Sequence, residues 1–255
     1  MTTPPLESWL VANARVTAFP VEPVKIDTLS WWSDLVGHTP ESVTSRPKTA
    51  QREEVGEVEG RQLTLKVEPE RIDWVLTPAP TAPEDTASTL PVAGPFPEVT
   101  KLLYQIMASW MPHCPKVTRL AFGAVLLQPV ADRRTGYVEI VRYLPALASI
   151  LDPDRSSDFF FQINRPRTST TGITGLTVNR LTKWSVMLLQ SFRLTVAKSQ
   201  ATTVGHVDEK SACRLELDIN TGPDYPGPLP HEALVAILGE LVGLSEEIAT
   251  RGDIP

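Results

Sequence analysis

Two segments far apart in the chain open with the same pattern. "GPFPEVTKLL" at 94–103 and "GPLPHEALVA" at 227–236 both read Gly-Pro-apolar-Pro and then run into apolar residues at helical spacing. Proline suits the first positions of a helix, where the N–H it lacks has no intrahelical partner anyway. Turn chemistry alone therefore reproduces four residues. The order of segments ahead of each pattern is a stronger constraint, because it repeats as well: strand, helix, three or four strands, proline-rich loop, long helix. This order predicts an α+β fold, an antiparallel-rich sheet flanked by helices, built from two copies of a strand-helix-strands-helix unit with pseudo-twofold symmetry. The units are 1–112, with its proline-rich loop at 78–97, and 113–255. They are expected to form one compact structural domain, with the terminal helices starting near Glu98 and His231.

The periodicities place the elements. "ARVTAFPVEPVKI" (14–26) alternates as a strand does, "DTLSWWSDLVG" (27–37) reads as a helix capped by Asp27 and closed by Gly37, and 38–49 reads as a polar loop. Residues 50–77 divide into three strands at "EG" and "EPE". Val99, Leu102, Leu103, Ile106, Met107 and Trp110 form one helical stripe. In the second half, 117–130 reads as a strand, 135–151 as a helix that Pro145 ends or kinks, 158–166 as a strand, 176–197 as a stretch long enough for two strands, 213–220 as a strand, and 231 to about 249 as the closing helix. Trp32, Trp74, Trp110 and Leu217 fall on the apolar stripes and are expected in the core.

Composition is that of an ordinary globular chain: 255 residues, 42% hydrophobic, 21% charged. The 24 prolines exceed the usual ~5% but sit between the periodic segments, where they stiffen loops. The net charge of −6 argues against a generic nucleic-acid binder. It conceals an asymmetry, because residues 133–200 carry ten Arg or Lys against four acids, while both flanks are acidic. A basic middle is either a binding face or one half of an internal charge match; cross-strand pairing favours the match. Two cysteines without a disulfide framework, an N-terminus without signal-peptide character and no apolar run of about 18 residues point to a cytoplasmic protein with no membrane attachment.

"TRLAFGAVLLQPV" after the first long helix, "RLELDIN" late in the chain and a closing helix around "LPHEALVAILGELVGLSEEIATRGD" together resemble a sporadically distributed family of uncharacterised bacterial proteins of about this length. The resemblance spans most of the chain through short, strand-like motifs. It implies a bacterial protein encoded with mobile or defence-type genes. It carries no activity and no catalytic residues.

No catalytic or metal motif rises above its bland explanation. His38, His113, His206 and His231 show no ligand spacing, and Cys114 beside His113 lacks the facing geometry a nucleophile and base require. "GITG" at 172–175 lacks the Lys-Ser/Thr of a phosphate loop, and the acids of "REEVGEVEG" (52–60) read as a solvated strand face. No catalytic residue, metal or cofactor is assigned. The least ordinary stretch is "DFFFQINRPRTSTTG" (158–172) with "NRLTKW" (179–184), where aromatics stand beside cations as they do on single-stranded nucleic-acid surfaces. Asn164, Arg165, Arg167, Arg180 and Lys183 are the candidate partner- or anion-binding residues, expected on one exposed basic surface. The leading functional expectation is a non-enzymatic interaction or regulatory protein acting on a protein partner, as monomer or homodimer. A nucleotide or nucleic-acid binder using the basic residues of 160–185 is the alternative. A hydrolase assembled from distant residues is the third.

Overall fold

The computed structural model describes residues 5–80, 90–197 and 200–253, with the backbone alone over 191–197 and 200–208. The predicted loop 78–97 thus lies partly outside the described residues. Ten strands form one sheet. In chain order the elements are β1 (Leu10–Pro20), α1 (Trp31–Val36), β2 (Ser42–Arg46), β3 (Gln51–Val58), β4 (Arg61–Glu68), β5 (Arg71–Pro78) and α2 (Phe96–Trp110), followed by β6 (Val117–Val130), α3 (Arg133–Tyr143), β7 (Phe160–Asn164), β8 (Arg167–Thr168), β9 (Thr177–Ala197), β10 (Gln200–Thr221) and α4 (Leu234–Arg251). The fold is α+β, with an antiparallel sheet and four α-helices among the described residues.

The spatial order is β2-β3-β4-β5-β1-β6-β10-β9-β7, with β8 also paired to β9. In each half the last strand pairs with the first: β5 with β1, and β10 with β6. The halves meet at the β1–β6 seam, where Arg15 lies opposite Gly123 and Val16 opposite Phe122. Outward from that seam β1, β5, β4 and β3 answer to β6, β10, β9 and the β7/β8 edge, while β2 has no counterpart. α2 packs on β1, α4 packs on β6 and β10, and the two helices touch.

Alternation along each strand sends one set of side chains to the helices. Val16, Leu65, Trp74, Phe122, Leu126, Leu215 and Ile219 are buried there against Val99, Leu103 and Met107 of α2 and Ile237, Leu241 and Ile248 of α4. Two aromatic groups fill the space under the helices. Trp32 stacks on Trp74, which meets Trp110 edge-on at 5.9 Å, and Trp9, Tyr143 and Trp184 pack together at 5.3–6.1 Å. Trp32, Trp74, Trp110 and Leu217 are all in the core.

Several local expectations are corrected. Asp27 caps nothing: α1 starts at Trp31, and Ser30 Oγ donates to Asp34 Oδ2 at 2.6 Å. The first strand runs from Leu10 to Pro20 rather than 14–26. The loop 38–49 contains β2, whose five exposed residues show no alternation to read. Residues 176–197 hold one strand, not two, because pairing with β10 runs on along it through two register shifts near its far end. Glu54 is not solvated, since it shares the helix-facing side of β3 and is 2% exposed. Past Ser185 on β9 and Ser211 on β10, the two strands pair only with each other, a two-stranded arm reaching beyond the rest of the sheet.

Candidate functional site

The five residues picked from sequence do not form one exposed basic surface. The correction follows from strand parity. Arg180 and Lys183 are an odd number of positions apart on β9, so they point to opposite faces. Arg180 lies on the helix-facing side, 8% exposed, with its Nε donating to the Arg165 carbonyl at 2.9 Å. Burial lowers its pKa. Arg165 forks both nitrogens onto Asp253 at 2.6 Å each. Arg167 stands 3.6 Å from Glu240, whose carboxylate also accepts from Ser169 Oγ (2.5 Å), Thr170 N (2.7 Å) and Thr170 Oγ1 (2.8 Å). These three arginines thus gather where the sheet edge meets α4 and the residues after it. There the basic segment meets its acidic complement inside the molecule.

Lys183 and Asn164 lie on the other face. No helix among the described residues packs against that face, since the helix contacts all run to the opposite side. Its side chains make a polar ladder across four strands. Asn164 Nδ2 donates to Asn179 Oδ1 (3.2 Å), Asn179 Nδ2 to Asn220 Oδ1 (3.2 Å), and Arg119 to the same oxygen (2.9 Å). Asn220 Nδ2 in turn donates to Asp218 Oδ1 at 3.0 Å. Arg119 is further fixed by the Thr221 carbonyl and by lying 5.0 Å over the Phe19 ring. Across the seam, Thr17 Oγ1 donates to Asp73 at 2.6 Å and Arg71 pairs with the same carboxylate.

Beside this ladder the open face holds a cavity of about 220 Å³, lined by Asn13, Arg15, Gly123, Lys183, Glu216 and Asp218 among others. Three registers bring its floor together: Arg15 opposite Gly123, Gly123 opposite Asp218, and Asp218 opposite Leu181. Glycine in mid-strand weakens a sheet and often marks a close approach. Here it is the arginine that approaches, since a Cβ on Gly123 would meet Arg15 Nε at 3.0 Å and Cγ at 3.3 Å. Lys183 is matched to Glu216 at 3.3 Å, and Glu216 also takes Arg214. Arg15 and Asp218 have no ion-pair partner among the described residues. Sequence reasoning missed both, and the mid-strand glycine of "AFGAV" was the available signal.

The remaining reactive side chains are engaged or sequestered. Cys114 and Cys213 are buried free thiols, and burial pushes both up to about 12. The His231 ring hydrogen-bonds the Cys114 carbonyl at 3.0 Å. Among the described residues no cluster of His, Cys, Asp and Glu suits a metal ion, and no helix is long and apolar enough to cross a membrane. No protein-family model and no curated protein matches this chain.

Proposed function

We propose that the protein is a non-enzymatic interaction or regulatory protein that receives a protein partner on the helix-free face of its sheet. The observation that carries this reading is the face itself. Nine strand positions at about 4.8 Å span roughly 40 Å, and six residues along a strand span about 20 Å. The product, about 800 Å², is what one partner contributes to a standard protein–protein interface. Its chemistry is mixed: the asparagine ladder, both signs of charge, and half-buried Val125 and Leu181. That suits a polar, water-bridged, exchangeable contact rather than a permanent hydrophobic one. A bacterial setting beside mobile or defence-type genes, which the sequence resemblance implies, and a cytoplasmic location, expected from the two free cysteines, belong to this proposal.

Affinity capture from the native host tests it, using the wild type, two open-face variants (Thr64→Arg and Lys183→Glu) and a control on the helix layer (Lys101→Glu). A protein retained by wild type and control but lost from both open-face variants supports the reading. A partner retained equally by all four, or no retained protein, overturns it. For the nucleic-acid alternative, salt-dependent binding to a single-stranded oligonucleotide that Arg165→Glu with Arg167→Glu abolishes is the discriminating result. Those arginines already spend their charge on Asp253 and Glu240.

A further inference from the structure

We infer that the open-face cavity binds a small zwitterion of the α-amino-acid type, its carboxylate on Arg15 and its ammonium group on Asp218. The inference stands apart from the partner reading, because the cavity needs nothing docked on the rest of the face. It begins from the charges on the walls. Lys183 and Arg214 both pair with the single Glu216 carboxylate. Two charges are left over, of opposite sign, in one cross-strand row on either side of Gly123. They form no ion pair with each other, although both line the same cavity.

Their separation has a structural cause. Arg15 and Asp218 are two strand spacings apart, roughly 10 Å between backbones. Arginine covers part of that distance by lying across Gly123, where any side chain would push it away. Aspartate is turned along its own strand instead, with Asp218 Oδ1 accepting from Asn220 Nδ2 at 3.0 Å. Asn220 is fixed in turn by Arg119 and Asn179. The ladder therefore keeps the carboxylate from closing on the guanidinium and holds open a dipolar gap. A simple anion would meet Arg15 but face Asp218 unpaired, and a simple cation would meet the reverse. A ligand carrying both charges on groups attached to one carbon leaves neither wall uncompensated.

The other linings fit such a ligand. The guanidinium fork takes a carboxylate through two parallel N–H bonds. Asn13 adds an amide at the rim, and Leu181 offers an apolar patch for a side chain. A volume of about 220 Å³ equals on the order of seven waters at ~30 Å³ each, room for a small amino acid.

The test is a titration of the full isotope-labelled chain followed by NMR at the Arg15 Nε–Hε and Gly123 amide resonances. The probes are the standard amino acids, then the N-acetyl derivative and the decarboxylated amine of the tightest one. Saturable shifts are expected for at least one amino acid, with affinity falling about tenfold or more when either charge is removed from the probe. Arg15→Met and Asp218→Asn should each cause a similar loss, and Lys101→Met, on the exposed side of α2, should not. Arg15→Lys, which keeps the charge but not the fork, serves if Arg15→Met does not fold; it too should weaken binding. Absence of a saturable shift with every amino acid overturns the inference. So does an N-acetyl derivative that binds equally well, or binding that survives the Arg15 and Asp218 substitutions.

Discussion

Arg165 and Asp253 are joined by two parallel hydrogen bonds of 2.6 Å although 88 residues separate them in the chain. The pair ties the end of β7 to the residues just past α4, and Asp253 N also donates to the Tyr143 carbonyl at 3.2 Å. Asp253→Asn removes the charge and half of the fork. Faster amide exchange is expected at Arg165–Ser169 and in the last turn of α4, and Arg165→Asp with Asp253→Arg should restore part of the protection. Unchanged exchange in Asp253→Asn would show that packing alone closes this corner.

Glu240 makes the same corner sensitive to acid. Burial would raise its carboxyl pKa, but hydrogen bonds from Ser169 and Thr170, with Arg167 nearby, outweigh burial and hold it below its ordinary 4.5. A carboxylate with a depressed folded-state pKa contributes stability above its unfolded value. That contribution is lost as pH falls through the folded one. Glu240→Gln should therefore cost about 1–3 kcal/mol at neutral pH. The difference from wild type should shrink once the pH falls below the ordinary carboxylate range, and chemical denaturation at a series of pH values measures it.

Gly136 lets α3 lie close against β9. A Cβ there would come within 2.6 Å of Val186 Cγ1. Gly136→Ala alone is expected to destabilise the protein by about 1–3 kcal/mol through overpacking. In a Val186→Ala background the clash is gone and alanine's helix propensity remains, so the same substitution should be neutral or stabilising by up to ~1 kcal/mol. A double-mutant cycle by thermal unfolding reads this change of sign. Equal costs in both backgrounds would place the strain elsewhere.

Thiol labelling reports on the core. Cys114 and Cys213 are buried with pKa values pushed up to about 12, so neither forms appreciable thiolate at pH 8. A disulfide reagent should label neither in the native protein on the timescale of free cysteine, and both on addition of denaturant. Rapid native labelling of Cys213 would mean that α3 lifts from the sheet, because its thiol is held 3.4 Å from the Gly136 carbonyl beneath that helix.

Much of the architecture was legible because it is written in local period. β6 spans the predicted 117–130, the stripe from Val99 to Trp110 is the buried side of α2, and Pro145 follows the end of α3. The repeated order of elements goes with a matched strand order on either side of the β1–β6 seam. β2 escaped notice because an all-exposed edge strand has no apolar face to alternate. The site was harder to read. Opposite orientations for Arg180 and Lys183 were already implied by their odd spacing, and counting parity would have split the patch. The Arg15–Gly123–Asp218 row was out of reach, since it exists only once three strands from both halves are in register.

The position of β1 also bears on how the chain assembles. β2 to β5 are consecutive hairpins that close over a few residues each, yet β1 joins them only through β5, and its other edge waits for β6, more than a hundred residues downstream. Loops of that length close late, and sheets dominated by such pairings fold slowly. A ribosome adding about 5–20 residues per second therefore presents the first half for several seconds with one long, apolar strand edge bare. The seam that unites the finished sheet is, during synthesis, its greatest exposure to wrong pairing.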